Sequence, residues 1–313
     1  MAFTATDVKT LREMTGVGMM DCKKALTESD GDMDAAVQWL REKGLAAAQK
    51  KAGRIAAEGI VAAVVRNGIG AVLEVNAETD FVAKNDIFVK FVDDVVAIIA
   101  DKNPADVDAL LALPYPDSNL TVEQMLQEKV LVIGENLKIR RFARYDAGVS
   151  IPYVHMGGRI GVIVNMDVSD SLKDKAEITE LGKDLAMQIA AMRPLYLNSS
   201  DVEAGELEKE HEIQLTKAIE ENRAKNLPED KAIQIAENIV KGRINKFYEE
   251  ICLMNQPYVK ENKINVATHV KNVAKALGGE ITVNAFTRFE KGEGIEKKED
   301  DFAAEIASLT GNK

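Results

Sequence analysis

The 313 residues are 46% hydrophobic with only seven prolines, which is enough apolar material for two or three packed units and too much for a disordered chain. With 40 Lys plus Arg against 51 Asp plus Glu, the net charge of −11 repels phosphate backbones over most of the surface and argues against nucleic acid as the main partner. No stretch approaches the roughly 20 apolar residues needed to span a bilayer, and the N-terminus lacks a basic patch followed by an apolar core.

Three short helical patterns open the chain: Val8, Leu11, Met14; then Met19, Cys22 or Lys23, Leu26; then Met33, Ala36 or Val37, Leu40. Thr4-Ala5-Thr6-Asp7 offers the first a capping box, Gly16-Val17-Gly18 breaks the chain before the second, and Asp30-Gly31-Asp32 turns into and caps the third. Size and glycine loop resemble ubiquitin-associated-type domains, so residues 1–55 read as a three-helix docking module. Its last stretch, with Lys50, Lys51 and Arg54, is a basic helical linker. Met19 and Met20 either fill this module's small core or form an adaptable binding surface.

From Gly59 the period becomes two. Ile60 to Val65, a turn at Arg66-Asn67-Gly68, and Ile69 to Asn76 predict a hairpin, followed by a helix with Phe88, Phe91 or Val92, and Val95 inward. The design recurs: Val149 to His155, a turn at Met156-Gly157-Gly158, a strand from Arg159 to Asn165, then a helix over 173–192. Ile281 to Phe286 supplies one more strand to the second sheet. Between them, residues 202–248 are rich in Glu, Lys and Ala, with Leu207, Leu215 and Ala218, then Ile233, Ala236, Val240, Ile244 and Phe247, broken at Asn226-Leu227-Pro228. Two such arms, each about 30 Å long, predict an antiparallel coiled coil that serves as a spacer or pairs two copies of the chain. The tail places Phe302, Ile306 and Leu309 on one side of a short helix. The expected fold class is therefore α+β. Two related core subdomains with antiparallel hairpin sheets, 56–144 and 145–200 with 249–289, flank an inserted hairpin at 201–248, and a C-terminal helical module follows at 290–313.

Catalytic signatures are missing. No phosphate-binding loop, Gly-x-Ser-x-Gly or His-Glu-x-x-His is present, and the three histidines, His155, His211 and His269, have no metal-ligand spacing. Cys22 and Cys252 lie far apart, as suits packing residues in a reducing cytoplasm. The expectation is a non-enzymatic cytoplasmic protein with no cofactor, no metal and no direct nucleotide, nucleic-acid or membrane binding. Arg140, Arg141 and Arg144 form a basic cluster, but without the interleaved aromatics of a single-strand RNA binder.

The most informative run is Glu74-Val75-Asn76-Ala77-Glu78-Thr79-Asp80-Phe81-Val82-Ala83-Lys84, where a strand ends and an acidic residue and a phenylalanine follow at once. The commoner reading is that Asp80 caps the next helix and Phe81 plugs the local core; the sharper one is that Phe81 is a wedge aimed at a partner. For His155 the corresponding pair is a residue bonded within its own hairpin or a contact group.

The stretch Leu11-Arg12-Glu13-Met14-Thr15-Gly16-Val17-Gly18-Met19-Met20-Asp21-Cys22-Lys23-Lys24, the Glu74 to Lys84 run, Ile133-Gly134-Glu135-Asn136 with Arg140-Arg141, His155 through Val162, and Gly292-Glu293-Gly294 with Phe302-Ala303-Ala304-Glu305 resemble the bacterial elongation factor Ts family, in order and over essentially the whole chain. That resemblance implies guanine-nucleotide exchange on the GTPase elongation factor Tu. It makes Thr79, Asp80, Phe81 and Val82 the exchange wedge beside the partner's magnesium site, and His155 with Gly157 a second pressure point. Met19, Met20, Lys23, Ile133 and Phe302 become further partner-binding residues. The chain departs from the family at Ala77, where many members carry cysteine, at Met156, where glycine is usual, and in a longer stretch over 101–119 to which no function is assigned. The alternative function is a non-exchange adaptor that tethers other proteins through the ubiquitin-associated-like module and the coiled coil.

Overall fold

The computed structural model describes residues 3–224 and 228–296; Asn226, Leu227 and the tail positions Phe302, Ile306 and Leu309 lie outside them. The N-terminal helices are α1 (Ala5–Thr15), α2 (Met19–Glu28) and α3 (Met33–Lys51). Thr4 and Asp7 close a reciprocal capping box on α1, Gly16 ends it in the left-handed region at φ 69°, and the Asp32 carboxylate accepts the Ala35 amide at 2.8 Å to start α3. Val8, Leu11, Cys22, Ala25, Leu26, Ala36 and Leu40 form the module's core. Neither Met19 nor Met20 joins it: both side chains are exposed, Met20 at 76%. Lys50 and Lys51 of the predicted basic linker form the last turn of α3, and Arg54 follows the helix in a turn. Gly44 brings α3 close to another helix, since a Cβ there would lie 3.3 Å from the Gln127 carbonyl oxygen.

The first sheet is antiparallel, ordered β1 (Glu58–Arg66), β2 (Ile69–Ala77), β3 (Lys138–Tyr145). Asn67 and Gly68, both at positive φ, make the tight turn. After β2 a single 3₁₀ turn (Val82–Lys84) leads to α4 (Asp86–Lys102), then α5 (Val107–Leu111) and α6 (Val122–Ile133). The longer stretch over 101–119 is a cover for this core: Leu110, Tyr115 and Leu120 are buried in it, and the Tyr115 ring stacks on Phe91 at 6.1 Å.

The second sheet is ordered β4 (Val149–His155), β5 (Ile160–Val168), β8 (Ile281–Glu290), with α7 (Ala176–Met192) on its outer face. The chain reaches β8 through α8 (Ala204–Arg223), α9 (Glu229–Ile251), a small ribbon of β6 (Pro257–Tyr258) and β7 (Glu261–Asn265), and α10 (Val266–Leu277). In the α8–α9 hairpin the seam is Ala218, Ala236 and Val240, flanked by Leu215, Ile219, Ile239 and Ile244. The predicted Ile233 faces outward and its neighbour Ala232 is buried, a shift of one residue. Buried Asn222 donates to the Ala232 carbonyl at 3.0 Å, a polar contact that fixes the register of the pair.

The two sheets pack face to face, with α4 outside the first and α7 outside the second. Both sides of β2 and nearly all of β5 are consequently buried, so these strands do not alternate polar and apolar. Val61, Val72 and Ile163 fill the interface, and the sheets approach closely where glycine faces a side chain. A Cβ on Gly161 would sit 2.4 Å from Val61 Cγ1. Gly161→Ala is therefore expected to destabilise the protein by about 1–3 kcal/mol through overpacking, read as a lower denaturation midpoint at unchanged m-value.

Strand β3 brings its arginines to an acidic centre. Glu74 on β2 is fully buried and accepts from Arg140 Nη1 at 3.0 Å, Arg141 Nε at 2.6 Å, Asn76 Nδ2 at 3.1 Å and the Gly292 amide at 2.8 Å. Arg144 pairs with Asp146 at 2.9 Å. The three arginines are structural ties, which removes the basis for an RNA-binding reading of that cluster.

Candidate functional site

Strand β2 ends at Ala77, and the chain then makes two turns of different kinds before α4. The first is held from outside. Glu135 Oε2 accepts the amides of Glu78 and Thr79, each at 3.0 Å, and its Oε1 accepts the Thr79 hydroxyl at 2.7 Å. In return Glu78 Oε1 accepts the Asn136 amide at 2.6 Å, and Asn136 Nδ2 donates to the Arg54 carbonyl at 2.8 Å. Residues following α3, β2 and α6 are thereby stitched at one point. The second turn is held from inside: Val82 is buried in the first core, and the Asn85 side chain caps α4 by accepting the Ile87 amide at 2.9 Å.

Asp80 and Phe81 lie between these two anchors. Asp80 does not cap α4, a role Asn85 fills; its carboxylate pairs with Lys84 at 3.2 Å on the surface. Phe81 does not plug the core, because Val82 occupies that place; its ring is 80% exposed. Phe81 is thus a bare aromatic ring on a loop tied at both ends. Thr79 turns its hydroxyl inward to Glu135, and Val82 faces the core, so of the four residues in this run only Asp80 and Phe81 are presented outward.

Ile133, the last residue of α6, is partly buried against the first core two positions before Glu135, so the structure brings it beside this loop. His155 ends β4 on the exposed tip of the second hairpin, its Nδ1 2.9 Å from the Tyr153 hydroxyl with the rings stacked at 5.8 Å. His155 is thus bonded within its own hairpin while its side chain stays exposed. The tip runs through three successive left-handed residues, Met156, Gly157 and Gly158. Met156 adopts φ 50° with its side chain exposed, a conformation that a glycine would take without strain. The Gly158 carbonyl accepts the Val61 amide at 2.7 Å, and Val61 pairs with Glu74 near the end of β2. Hence the His155–Gly157 tip and the Asp80–Phe81 loop sit at the same end of the molecule.

Met19, Met20 and Lys23 all lie exposed on α2, in the N-terminal cluster and separate from this loop. Phe302 is outside the described residues. Sequence reasoning assigned no role to Glu135 or Asn136, although both stand in the Ile133-Gly134-Glu135-Asn136 motif; their partners are more than 50 residues away in the chain.

Burial pushes the Cys252 thiol up to about 11 and raises that of Cys22, which leaves both poor nucleophiles. Among the described residues no group of three His, Cys, Asp or Glu side chains is arranged to hold a metal, and no helix is long and apolar enough to cross a membrane.

A family model described as elongation factor TS matches residues 78–293, which includes the Asp80–Phe81 loop and the His155–Gly157 tip. The chain is 46% identical over 312 residues to the elongation factor Ts of Syntrophotalea carbinolica, covering 99% of this chain and all of the relative. It is 49% identical to that of Trichlorobacter lovleyi, with both chains covered completely, and 47% identical to that of Clostridium perfringens, covering 98% and 99%. The chain belongs to the elongation factor Ts family of translation elongation factors.

Proposed function

We infer that this chain promotes GDP release from elongation factor Tu by inserting the ring of Phe81, with Asp80 beside it, next to the partner's magnesium site. The observation that carries the reading is the bare Phe81 ring on a loop braced at Thr79 and Val82. A GTPase holds its nucleotide through backbone amides around the phosphates and a bridging magnesium ion. Displacing a helix that positions those groups weakens nucleotide binding without any covalent bond being made or broken. Phe81 fills an apolar slot, Asp80 accepts from donors uncovered by the displacement, and the His155–Gly157 tip presses from the same end. Met19, Met20 and Lys23 add affinity through the exposed face of α2, where polarizable methionine side chains adapt to a partner surface.

Linkage makes the antagonism reciprocal: the factor by which this chain weakens nucleotide binding is the factor by which nucleotide weakens binding of the chain. Release of fluorescent GDP from purified elongation factor Tu is expected to accelerate on adding the protein, and affinity is expected to be on the order of tenfold to a hundredfold higher for the nucleotide-free partner. Equal affinity for both forms, with no acceleration, would identify an adaptor instead.

A further inference from the structure

The loop that presents Phe81 carries almost no information about its own direction. Asp80 and Phe81 belong to neither core cluster, and among the described residues the one side-chain hydrogen bond or ion pair of either is the surface pair of Asp80 with Lys84, both more than half exposed. Downstream, Val82 and the Asn85 cap fix where the loop ends. Upstream, the turn is held to the residues after α6, where Glu78 accepts the Asn136 amide and pairs with Arg54, and where Glu135 alone takes the donors of Thr79. Helix α6 stops at Gly134, whose left-handed conformation (φ 86°) lets its amide bond back to the Val130 carbonyl at 3.0 Å and turns the chain toward the end of β2. The next residue, Glu135, then spends both carboxylate oxygens on the Glu78 and Thr79 amides and the Thr79 hydroxyl. Three donors converging on one carboxylate are charge-assisted bonds of the stronger class.

We propose that Glu135 is the positioning residue of the exchange wedge: its carboxylate holds the Glu78–Thr79 backbone so that Phe81 is pre-aimed before the partner arrives. The inference rests on the wedge reading above and adds to it the group that sets the wedge's geometry. Pre-aiming matters because a loop that must be ordered on contact spends part of its interaction energy on that ordering, which lowers the population of the complex in which the partner's helix is displaced. Glu135 need not touch the partner. What it supplies is acceptor geometry, and a glutamine in its place retains an oxygen for the two amides and an amide group for the Thr79 oxygen.

The test is a double-mutant cycle on stimulated GDP release from elongation factor Tu, reading the maximal rate at saturating factor separately from the half-saturating concentration. Glu135→Ala is expected to lower the maximal rate about tenfold, from the loss of several charge-assisted bonds, with a change of less than about threefold in the half-saturating concentration, which the N-terminal helices dominate. Glu135→Gln is expected to stay within about threefold of the parent. In the Phe81→Ala background, Glu135→Ala is expected to cost less than about twofold, because there is no ring left to aim. The same loss in both backgrounds would show that Glu135 acts through general stability and would overturn the proposal. So would a full loss in Glu135→Gln, which would mean a charge contact with the partner. A Phe81→Ala protein as active as the parent would sink the wedge reading itself, and that outcome is read from the single variant, independently of Glu135.

Discussion

Phe81→Ala is expected to slow stimulated GDP release roughly thirtyfold while leaving the fold as stable as the parent. The magnitude follows from the burial of one phenylalanine ring, about 2 kcal/mol, converted to a rate at about 1.4 kcal/mol per factor of ten. The stability half of the expectation follows from the ring's exposure: at 80% exposed it buries little in the free protein, and surface truncations of this kind stay within about 0.5 kcal/mol. The two halves together separate a wedge from a core residue. If Phe81 were structural, its removal would lower the melting temperature in step with activity. Stopped-flow release of a fluorescent GDP analogue, with a thermal melt on the same preparation, decides the matter. An unchanged release rate in a folded variant would end the wedge reading.

The exposure of this ring was the point on which the sequence pattern misled. A phenylalanine between a strand and an amphipathic helix reads as a plug, and the plug does exist, but it is Val82, one residue later. The single 3₁₀ turn over Val82–Lys84 rotates the chain so that Asp80 and Phe81 face outward. Such a turn has no periodic signature. Local devices were legible: the Thr4-Asp7 capping box, the Asp32 cap and the Asn67-Gly68 turn form as their residue types dictate, since each is satisfied within a few residues. Strand β3 was hidden because Lys138, Arg140, Arg141 and Arg144 make it look like solvent-exposed chain, and only the acidic centre on β2 explains why arginines belong in a sheet. The brace from Glu135 had no local trace for the same reason, since donors and acceptor meet only after the first core has closed.

That acidic centre carries the largest expected effect on stability. Glu74→Ala removes the acceptor for two guanidinium groups, one side-chain amide and one backbone amide at a fully buried point, and it leaves Arg140 and Arg141 partly buried with their main counter-ion gone. Breaking a buried pair from one side costs about 3–5 kcal/mol, because the abandoned charges stay out of water. The loss here also spans two sheets. Arg141 reaches Glu293 at 3.0 Å, Arg140 reaches the Glu293 carbonyl, and the Gly292 amide donates to Glu74 itself, so the segment after β8 is tied to β2 and β3 through this carboxylate and its partners, beside a separate Lys291–Glu58 pair to β1. The melting temperature is expected to fall by roughly 6–15 °C, at about 2–3 °C per kcal/mol for a chain of this size. High salt should rescue little of it, because a buried centre is poorly screened. Arg140→Ala is the informative companion: its side chain retains some access to water, and Glu74 keeps Arg141, Asn76 and the Gly292 amide, so its cost should be markedly smaller. Equal costs for the two substitutions, or a Glu74→Ala protein that melts with the parent, would show that the sheets are held by the Val61, Val72 and Ile163 contacts alone, with the carboxylate a passenger at their edge.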